Sequence, residues 1–293
     1  MRFWRSAVLA VAMTGLGLSL SLQPRDALAD EGAGQVALAE GRYGDAAQAF
    51  SQAFDAGDPD AAFFLGRMTE LGLGTEPDPV GAAKFYMAAA EAGSAPAQNR
   101  LGLMFLKGES PMLQDYAKAR ELLCEAAESG DKNGAFNCAV VLEGGLGGDV
   151  DKAGAHRFHE VAAEQGHIGA MNALAIALIT GEHLPRDFDR AIALLSRTAA
   201  QGNPVGLHAL GQAYAVAIGV PRDLEKAHAY FNLAAARGHP AAGEARARLE
   251  AEMSAEQVTR AQTVAREWRA VPDPGDLAGD VGGGALADSG GAE

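Results

Sequence analysis

The chain has 293 residues, with 24 Lys and Arg against 38 Asp and Glu, and a formal net charge of −14. Such an acidic balance repels nucleic acids and anionic lipids, and no cluster of basic residues opposes it, so we expect no nucleic-acid partner. Aromatic residues make up only 6% of the chain while alanine is abundant, which favours closely packed helices over sheets.

The first 29 residues have the three parts of a secretory signal peptide. Two arginines precede the mostly apolar residues 7–22, and Ala-Leu-Ala at residues 27–29 offers small side chains for cleavage before Asp30. The alternative is a membrane anchor, although the apolar stretch is short for a bilayer span. No Cys follows it that could carry a lipid. We therefore expect a periplasmic or secreted protein, with no membrane insertion after signal cleavage.

The rest of the chain repeats about every 36 residues. The repeat is marked by Gly57, Gly93, Gly130, Gly166, Gly202 and Gly238. An alanine lies eleven residues before each glycine, a mostly large residue seven before, and Ala or Phe three before. These offsets share one face of a helix. The alanine in every copy predicts that another backbone approaches closely there.

Other residues of the repeat indicate where this helix begins and ends. They also indicate a second helix before it. Asp78, Asp115, Asp151, Asp187 and Asp223 lie fifteen residues before the last five glycines, where each can cap a helix. The glycine suits the left-handed residue after the helix end. Leu65, Leu101, Cys138, Leu174 and Leu210 lie eight residues after successive glycines. Each unit is therefore predicted as helix A, a glycine-containing loop, a capped helix B and a glycine turn.

The unit resembles the Sel1-like repeat, a relative of the tetratricopeptide repeat. The best copy contains Leu210-Gly211, Asp223-Leu224-Glu225-Lys226-Ala227, Tyr230-Phe231, Ala234-Ala235 and Gly238. The resemblance implies an all-α, right-handed solenoid of helical pairs, in which stacking buries the face that one pair leaves exposed.

The predicted organisation is a signal peptide at 1–29, an N-terminal half repeat at 30–57, five repeats at 58–238, capping helices at 239–268 and a disordered tail at 269–293. The capping helices are predicted because Arg246 and Glu250 replace core residues of the other units. The tail has almost no bulky side chains to bury.

Some proteins with Sel1-like repeats have been described as β-lactamases or penicillin binders. The catalytic motifs of those proteins are therefore the first to consider in this chain. Ser129 and Lys132 fit Ser-x-x-Lys, but they lie in a turn between units, and neither Ser-Asp-Asn nor Lys-Thr-Gly occurs in the chain. We predict no catalytic residue and no cofactor.

Histidines are the other candidates for chemistry. His156, His159 and His167 lie close together in the sequence, but no Cys or carboxylate completes a metal set with a recognisable spacing. We predict packed histidines and no metal.

The two cysteines are placed symmetrically about the turn near residue 131. Cys124 lies seven residues before it and Cys138 seven after, so both lie at similar height in an antiparallel helix pair. Export to an oxidising compartment would favour a disulfide. Cys124 follows a core position and can point aside, so two separate buried thiols remain the alternative.

In tetratricopeptide-like folds helix A lines the concave surface. By analogy, the predicted groove displays Phe63, Arg67, Asn99, Leu103, Phe136, Val140, Asn172, Ile176, His208 and Gln212. Amides could bond an extended backbone, and apolar residues could take its side chains. For each residue the alternative is packing against its neighbours.

The function predicted first is an exported, non-enzymatic adaptor that binds a protein or peptide segment in this groove. The alternatives are a β-lactamase or penicillin-binding type of cell-wall enzyme, and a receptor for a small ligand such as a peptidoglycan fragment.

The signal peptide leads to a direct test. Mass spectrometry of the protein isolated from the envelope of its own cells should find an N-terminus at Asp30, because that is where the small-residue site ends. A chain that keeps residues 1–29 would favour the membrane anchor.

Overall fold

The computed structural model describes residues 24–271, with side chains from residue 31. Within that range the protein consists of fourteen α-helices and contains no strand, so the predicted all-α solenoid is confirmed. The helices are α1 (Pro24–Ala39), α2 (Tyr43–Asp55), α3 (Pro59–Leu71), α4 (Pro79–Glu91), α5 (Ala95–Lys107), α6 (Tyr116–Glu128), α7 (Lys132–Gly144), α8 (Lys152–Glu164), α9 (Ile168–Thr180), α10 (Phe188–Ala200), α11 (Pro204–Val216), α12 (Leu224–Ala236), α13 (Ala242–Glu250) and α14 (Ala255–Glu267).

The helices α3 to α12 form five units of two, each with an odd-numbered A helix and an even-numbered B helix. Every helix in this series packs against the next one in the chain. The A helix α5 also contacts the A helices before and after it, α3 and α7. The A helices therefore share one surface of the solenoid, which is where the predicted groove residues lie.

The core of each unit is built from a close approach of helix A to helix B. The large residue seven positions before the repeat glycine packs onto a small residue of helix A, as Tyr86 does on Gly66, Leu123 on Gly102 and Phe231 on Gly211. A Cβ atom added to Gly66 would lie 2.6 Å from Cε1 of Tyr86. The backbone approach expected at the alanine also occurs, because the carbonyl oxygen of Ala119 would be 3.3 Å from a Cβ atom at Gly102.

The predicted helix ends are confirmed. Asp78, Asp115, Asp151, Asp187 and Asp223 each accept a hydrogen bond from a backbone N–H in the first turn of their B helix. All six repeat glycines have positive φ, between 82° and 101°. Local sequence therefore fixes the length of helix B and the direction in which the chain leaves it.

At the N-terminus, α1 and α2 form a further pair. The segment predicted as a half repeat therefore contains part of α1, which the repeat pattern did not reveal. Glycines at 32 and 34 lower the helix propensity there, but Gly34 lies against the ring of Phe50 and leaves no room for a side chain. The predicted cleavage before Asp30 falls inside α1.

At the other end, residues 239–268 contain α13 and α14. The hydroxyl of Ser254 accepts from the backbone N–H of Gln257, and the Gln257 side chain accepts from the backbone N–H of Ser254. The predicted tail extends beyond residue 271, and most of the predicted signal peptide precedes residue 24, so both lie largely outside the described residues. No helix within residues 24–271 is long and apolar enough to cross a membrane.

The two cysteines meet across the turn that joins α6 to α7. They form a disulfide in the structure, with their Cα atoms 4.9 Å apart. Cys138 is fully buried, whereas Cys124 is only partly buried, in keeping with its place beside a core position. The bridge ties helix B of the second unit to helix A of the third.

We expect this bridge to form in the protein isolated from its own cells. Alkylation without reductant, carried out after unfolding, should then label neither Cys124 nor Cys138. Replacing both with alanine should lower the free energy of unfolding by about 3 kcal/mol, because the closed loop is short. Urea denaturation measures this loss, and labelling of either thiol in the unfolded, unreduced protein would contradict the bridge.

Candidate functional site

The ten predicted groove residues form two rows on the A helices of the five units. The row six positions after the repeat glycine contains Phe63, Asn99, Phe136, Asn172 and His208. The row ten positions after it contains Arg67, Leu103, Val140, Ile176 and Gln212. Because residues four apart are neighbours on a helix, the two rows run side by side.

Exposure separates the two rows. Every residue of the first row is partly or fully buried, whereas the second row includes three exposed residues. Val140 is 41% and Ile176 is 47% exposed, and Gln212 follows them in the next unit. The accessible part of the predicted groove is therefore the second row, with two neighbouring apolar side chains at its centre.

The rings of the first row pack within their units and against the turns that follow them. Phe136 stacks on His167, with ring centroids 4.3 Å apart. His208 stacks on His239 at 4.0 Å, and its centroid lies 5.4 Å from that of Phe231 in the same unit. Packing is therefore the role that the structure gives these rings.

The prediction that Asn172 offers its amide to a bound peptide needs correction. Its side chain is buried, its Oδ1 atom accepts from the hydroxyl of Thr198 at 2.8 Å, and its Nδ2 atom donates to Oδ1 of Asn203 at 2.9 Å. Asn99 also joins two units, because its Oδ1 accepts from Nδ2 of Asn137 at 2.8 Å. A buried amide needs such partners, and helix B of the same unit and the neighbouring unit supply them.

Arg67 meets a charged network that the sequence analysis did not single out. Its Nη1 atom lies 3.3 Å from Oε2 of Glu70, which also accepts from the hydroxyl of Tyr86 and from Arg100. Burial raises the pKa of Glu70, but hydrogen bonds from Arg100 and Tyr86 outweigh it, and the net pKa is below the ordinary value. One feature of the sequence could have indicated this network. Glu70 is charged, whereas the same repeat position in the next unit holds the apolar Leu106.

Two of the three histidines predicted not to bind a metal, His156 and His159, line one cavity, whereas His167 caps a helix. His167 caps α9, where its Nδ1 atom accepts from the backbone N–H of Ala170 at 3.1 Å. His159 is buried in the core of its unit. Burial lowers the pKa of His159, and it lowers the pKa of His167 to about 4. Within residues 24–271 no group of three or more His, Cys, Asp or Glu side chains is placed to hold a metal ion.

Ser129, the residue of the Ser-x-x-Lys match, is the exposed residue that ends α6. Lys132 begins the next helix, α7. The chemistry of that motif requires the serine and the lysine on one helix face inside a pocket. The two residues lie on different helices, so the structure gives this match no catalytic geometry.

Comparison with protein families finds the Sel1 repeat five times in succession. The matched segments are 59–94, 95–131, 133–167, 168–203 and 204–239. They cover more than half of the chain and follow the units α3–α4 to α11–α12.

One curated relative is described as an exopolysaccharide production negative regulator of Rhizobium meliloti (strain 1021). It is 28% identical over 183 residues, which are 56% of this chain and 68% of the relative.

Two solved structures share the fold. One is a protective antigen of uropathogenic Escherichia coli strains displaying an SLR fold, with a TM-score of 0.70 and 25% identity. The match covers 83% of this chain but only 56% of the antigen. The other is a Sel1 repeat protein from Oxalobacter formigenes, with a TM-score of 0.64 and 27% identity, and the match covers 80% of this chain and 98% of that one.

The low pKa of His167 predicts a loss of stability in mild acid. Between about pH 6.5 and pH 4 the unfolded chain binds a proton at this residue that the folded protein does not, so stability falls as the pH falls. His167→Asn keeps a capping acceptor but removes the titration. By urea denaturation, the variant should lose about 2 kcal/mol less than the wild type between pH 7 and pH 5.

The control is His183→Asn, which changes an exposed histidine and should follow the wild type. An equal pH dependence in His167→Asn and the wild type would show that His167 is not the group responsible.

Proposed function

Because the chain belongs to the Sel1 repeat family, we propose that it is an exported, non-enzymatic adaptor that binds a segment of another protein along its A helices. Sel1 repeat proteins generally act as scaffolds through protein–protein contacts. The envelope is the proposed location, and the support for it is the signal-like N-terminal sequence.

The observation that carries the proposal is the exposed pair Val140 and Ile176. They occupy the same position in consecutive units, on α7 and α9, and each leaves more than two fifths of its surface accessible. Leu103 extends the row in the unit before and Gln212 in the unit after. A row of apolar side chains on adjacent helices suits an extended or helical protein segment better than a small charged metabolite.

The named relative supports a regulatory setting. Its description is that of a negative regulator of exopolysaccharide production. An adaptor without an active site can regulate a process by holding another protein. Because the envelope is the proposed location, we propose that the partner is an envelope protein, and that binding occurs on the second row of the groove.

The binding surface can be tested first by photo-crosslinking in living cells. A photoreactive amino acid placed at Val140 or Ile176 should give a discrete adduct with one partner protein. The same amino acid at Val264, an exposed valine on α14 outside the repeats, serves as the matched control and should not give that adduct.

The double substitution Val140→Asp and Ile176→Asp then tests affinity for the captured partner. Two carboxylates on the apolar row should weaken binding by roughly tenfold or more, while the circular dichroism spectrum stays helical because neither side chain is buried. Val264→Asp should bind like the wild type. Unchanged affinity in the double variant would show that the partner binds to another surface.

A further inference from the structure

Two junctions between units carry the same charged pattern, 73 residues apart. In the first, α3, α4 and α5 contribute Glu70, Tyr86, Arg100 and Glu109, the last just after α5. In the second, α7, α8 and α9 contribute Glu143, His159, Ala173 and Glu182, the last just after α9. Each residue of the second set is 73 positions after its counterpart. The carboxylates are repeated, but alanine stands where the first junction has arginine.

In the first junction the arginine is the centre of the network. The guanidinium of Arg100 donates to Glu70, lies 2.7 Å from Oε2 of Glu109, and sits 6.0 Å from the ring centroid of Tyr86. Its side chain is only 19% exposed. A mostly buried charge of this kind is tolerated because opposite charges and hydrogen bonds surround it. The junction is therefore a guanidinium site that the chain fills itself.

In the second junction the same place is a cavity of about 230 Å³. Its walls include Ala173, Ile176, Glu143, Glu182 and three histidines, His156, His159 and His183. Since Ala173 lacks the long side chain of its counterpart, the carboxylates flank open space instead of an arginine.

Two histidines of this cavity, His156 and His159, lack hydrogen-bond partners among the described residues. The side chain of His159 is 4% exposed, and neither of its ring nitrogens has a hydrogen-bond partner among the described residues. Its Nε2 atom is 3.8 Å from Oε2 of Glu143, which is too far for a hydrogen bond. Both ring nitrogens of His156 are likewise buried and unpartnered. Buried polar atoms normally find a partner. A neutral imidazole has one acceptor nitrogen and one N–H, so each of these rings offers one unpartnered acceptor to a ligand with N–H donors.

Two basic side chains lie beside these carboxylates. Nζ of Lys152 lies 3.2 Å from Oε1 of Glu143, and Nε2 of His183, which also lines the cavity, lies 3.6 Å from Oε1 of Glu182. The other carboxylate oxygen of Glu143 faces His159. The cavity therefore has negative charge and unpartnered imidazole acceptors together.

The pattern is absent from the neighbouring junctions. Between the second and third units the positions of the two carboxylates hold Leu106 and Leu146, and between the fourth and fifth they hold Ile179 and Ile218. Carboxylates at these positions are therefore not required by the repeat.

We propose that this cavity binds the guanidinium group of an arginine side chain carried by the partner segment. The inference rests on the proposed function, because Ile176 belongs both to the cavity wall and to the exposed groove row. An arginine entering from the groove would lay its stem along Ile176 and Ala173. Its planar, five-donor head would meet Glu143, Glu182 and the acceptor nitrogen of each imidazole, which suits arginine better than lysine.

The site can be tested without knowing the partner. N-acetyl-arginine amide, titrated into the mature chain, should shift the side-chain NMR signals of His156 and His159 saturably in the millimolar range. N-acetyl-citrulline amide has nearly the same shape but no charge, and should not. Glu143→Gln should weaken the affinity for the arginine probe by roughly tenfold, because the substitution removes a charge-assisted hydrogen bond.

Ala173→Arg provides the sharpest variant, because it restores the arginine of the first junction. It should abolish the shifts caused by the probe and raise the Tm. The matched control is Ala209→Arg on α11, at the same repeat position in the apolar junction between the fourth and fifth units. That control should lower the Tm and leave the probe shifts unchanged.

The inference is overturned if the arginine probe gives no saturable shift, if citrulline shifts the histidines equally, or if Ala173→Arg still responds to the probe. These readouts do not involve the partner. If Val140→Asp and Ile176→Asp abolish partner binding while the probe fails, the groove proposal stands and only the arginine site falls.

Discussion

Everything in this solenoid depends on the close approach of helix A to helix B inside each unit. The approach requires a glycine or alanine on helix A and a filling side chain on helix B. Tyr86, Leu123 and Leu195 are fully buried at the filling position of three units. Because the small residue leaves no room for a Cβ atom at Gly66 or Gly102, the two helix axes are held at one distance. Stacking can then repeat without adjustment from one unit to the next.

The same constraint explains why individual units can differ in chemistry. A filling side chain touches only its own unit and its neighbours, so a polar residue there changes one junction and leaves the others intact. Tyr86 uses its hydroxyl to bind Glu70, whereas His159 stands at the same position beside a cavity. The repeat thus supplies a fixed scaffold, and single substitutions at fixed positions turn a junction from apolar to charged.

Side chains on the surface of the A helices either pack against neighbouring parts of the chain or remain exposed to solvent. Asn172 and Phe136 lie in the row that the groove analogy assigns to a ligand, yet both contact the next turn or helix of the chain. Their polar and aromatic groups stabilise the stack because a buried amide or ring is costly without a neighbour. The exposed side chains of this surface lie in the adjacent row, with Val140 and Ile176 at its centre. The exposed apolar surface is therefore narrow, which suits a single segment of chain.

The sequence by itself determined the local structure of this protein. Asp187 capping α10, Gly202 ending that unit and the 36-residue register all follow from interactions within a few residues, which a single copy of the repeat already contains. The burial of Asn172, the binding of Glu70 by Arg100 and the cavity beside Ala173 were decided only by the tertiary structure. Those contacts join residues about thirty positions apart on different helices. Periodicity shows which face of a helix is buried, but the stacking geometry decides which side chains meet there.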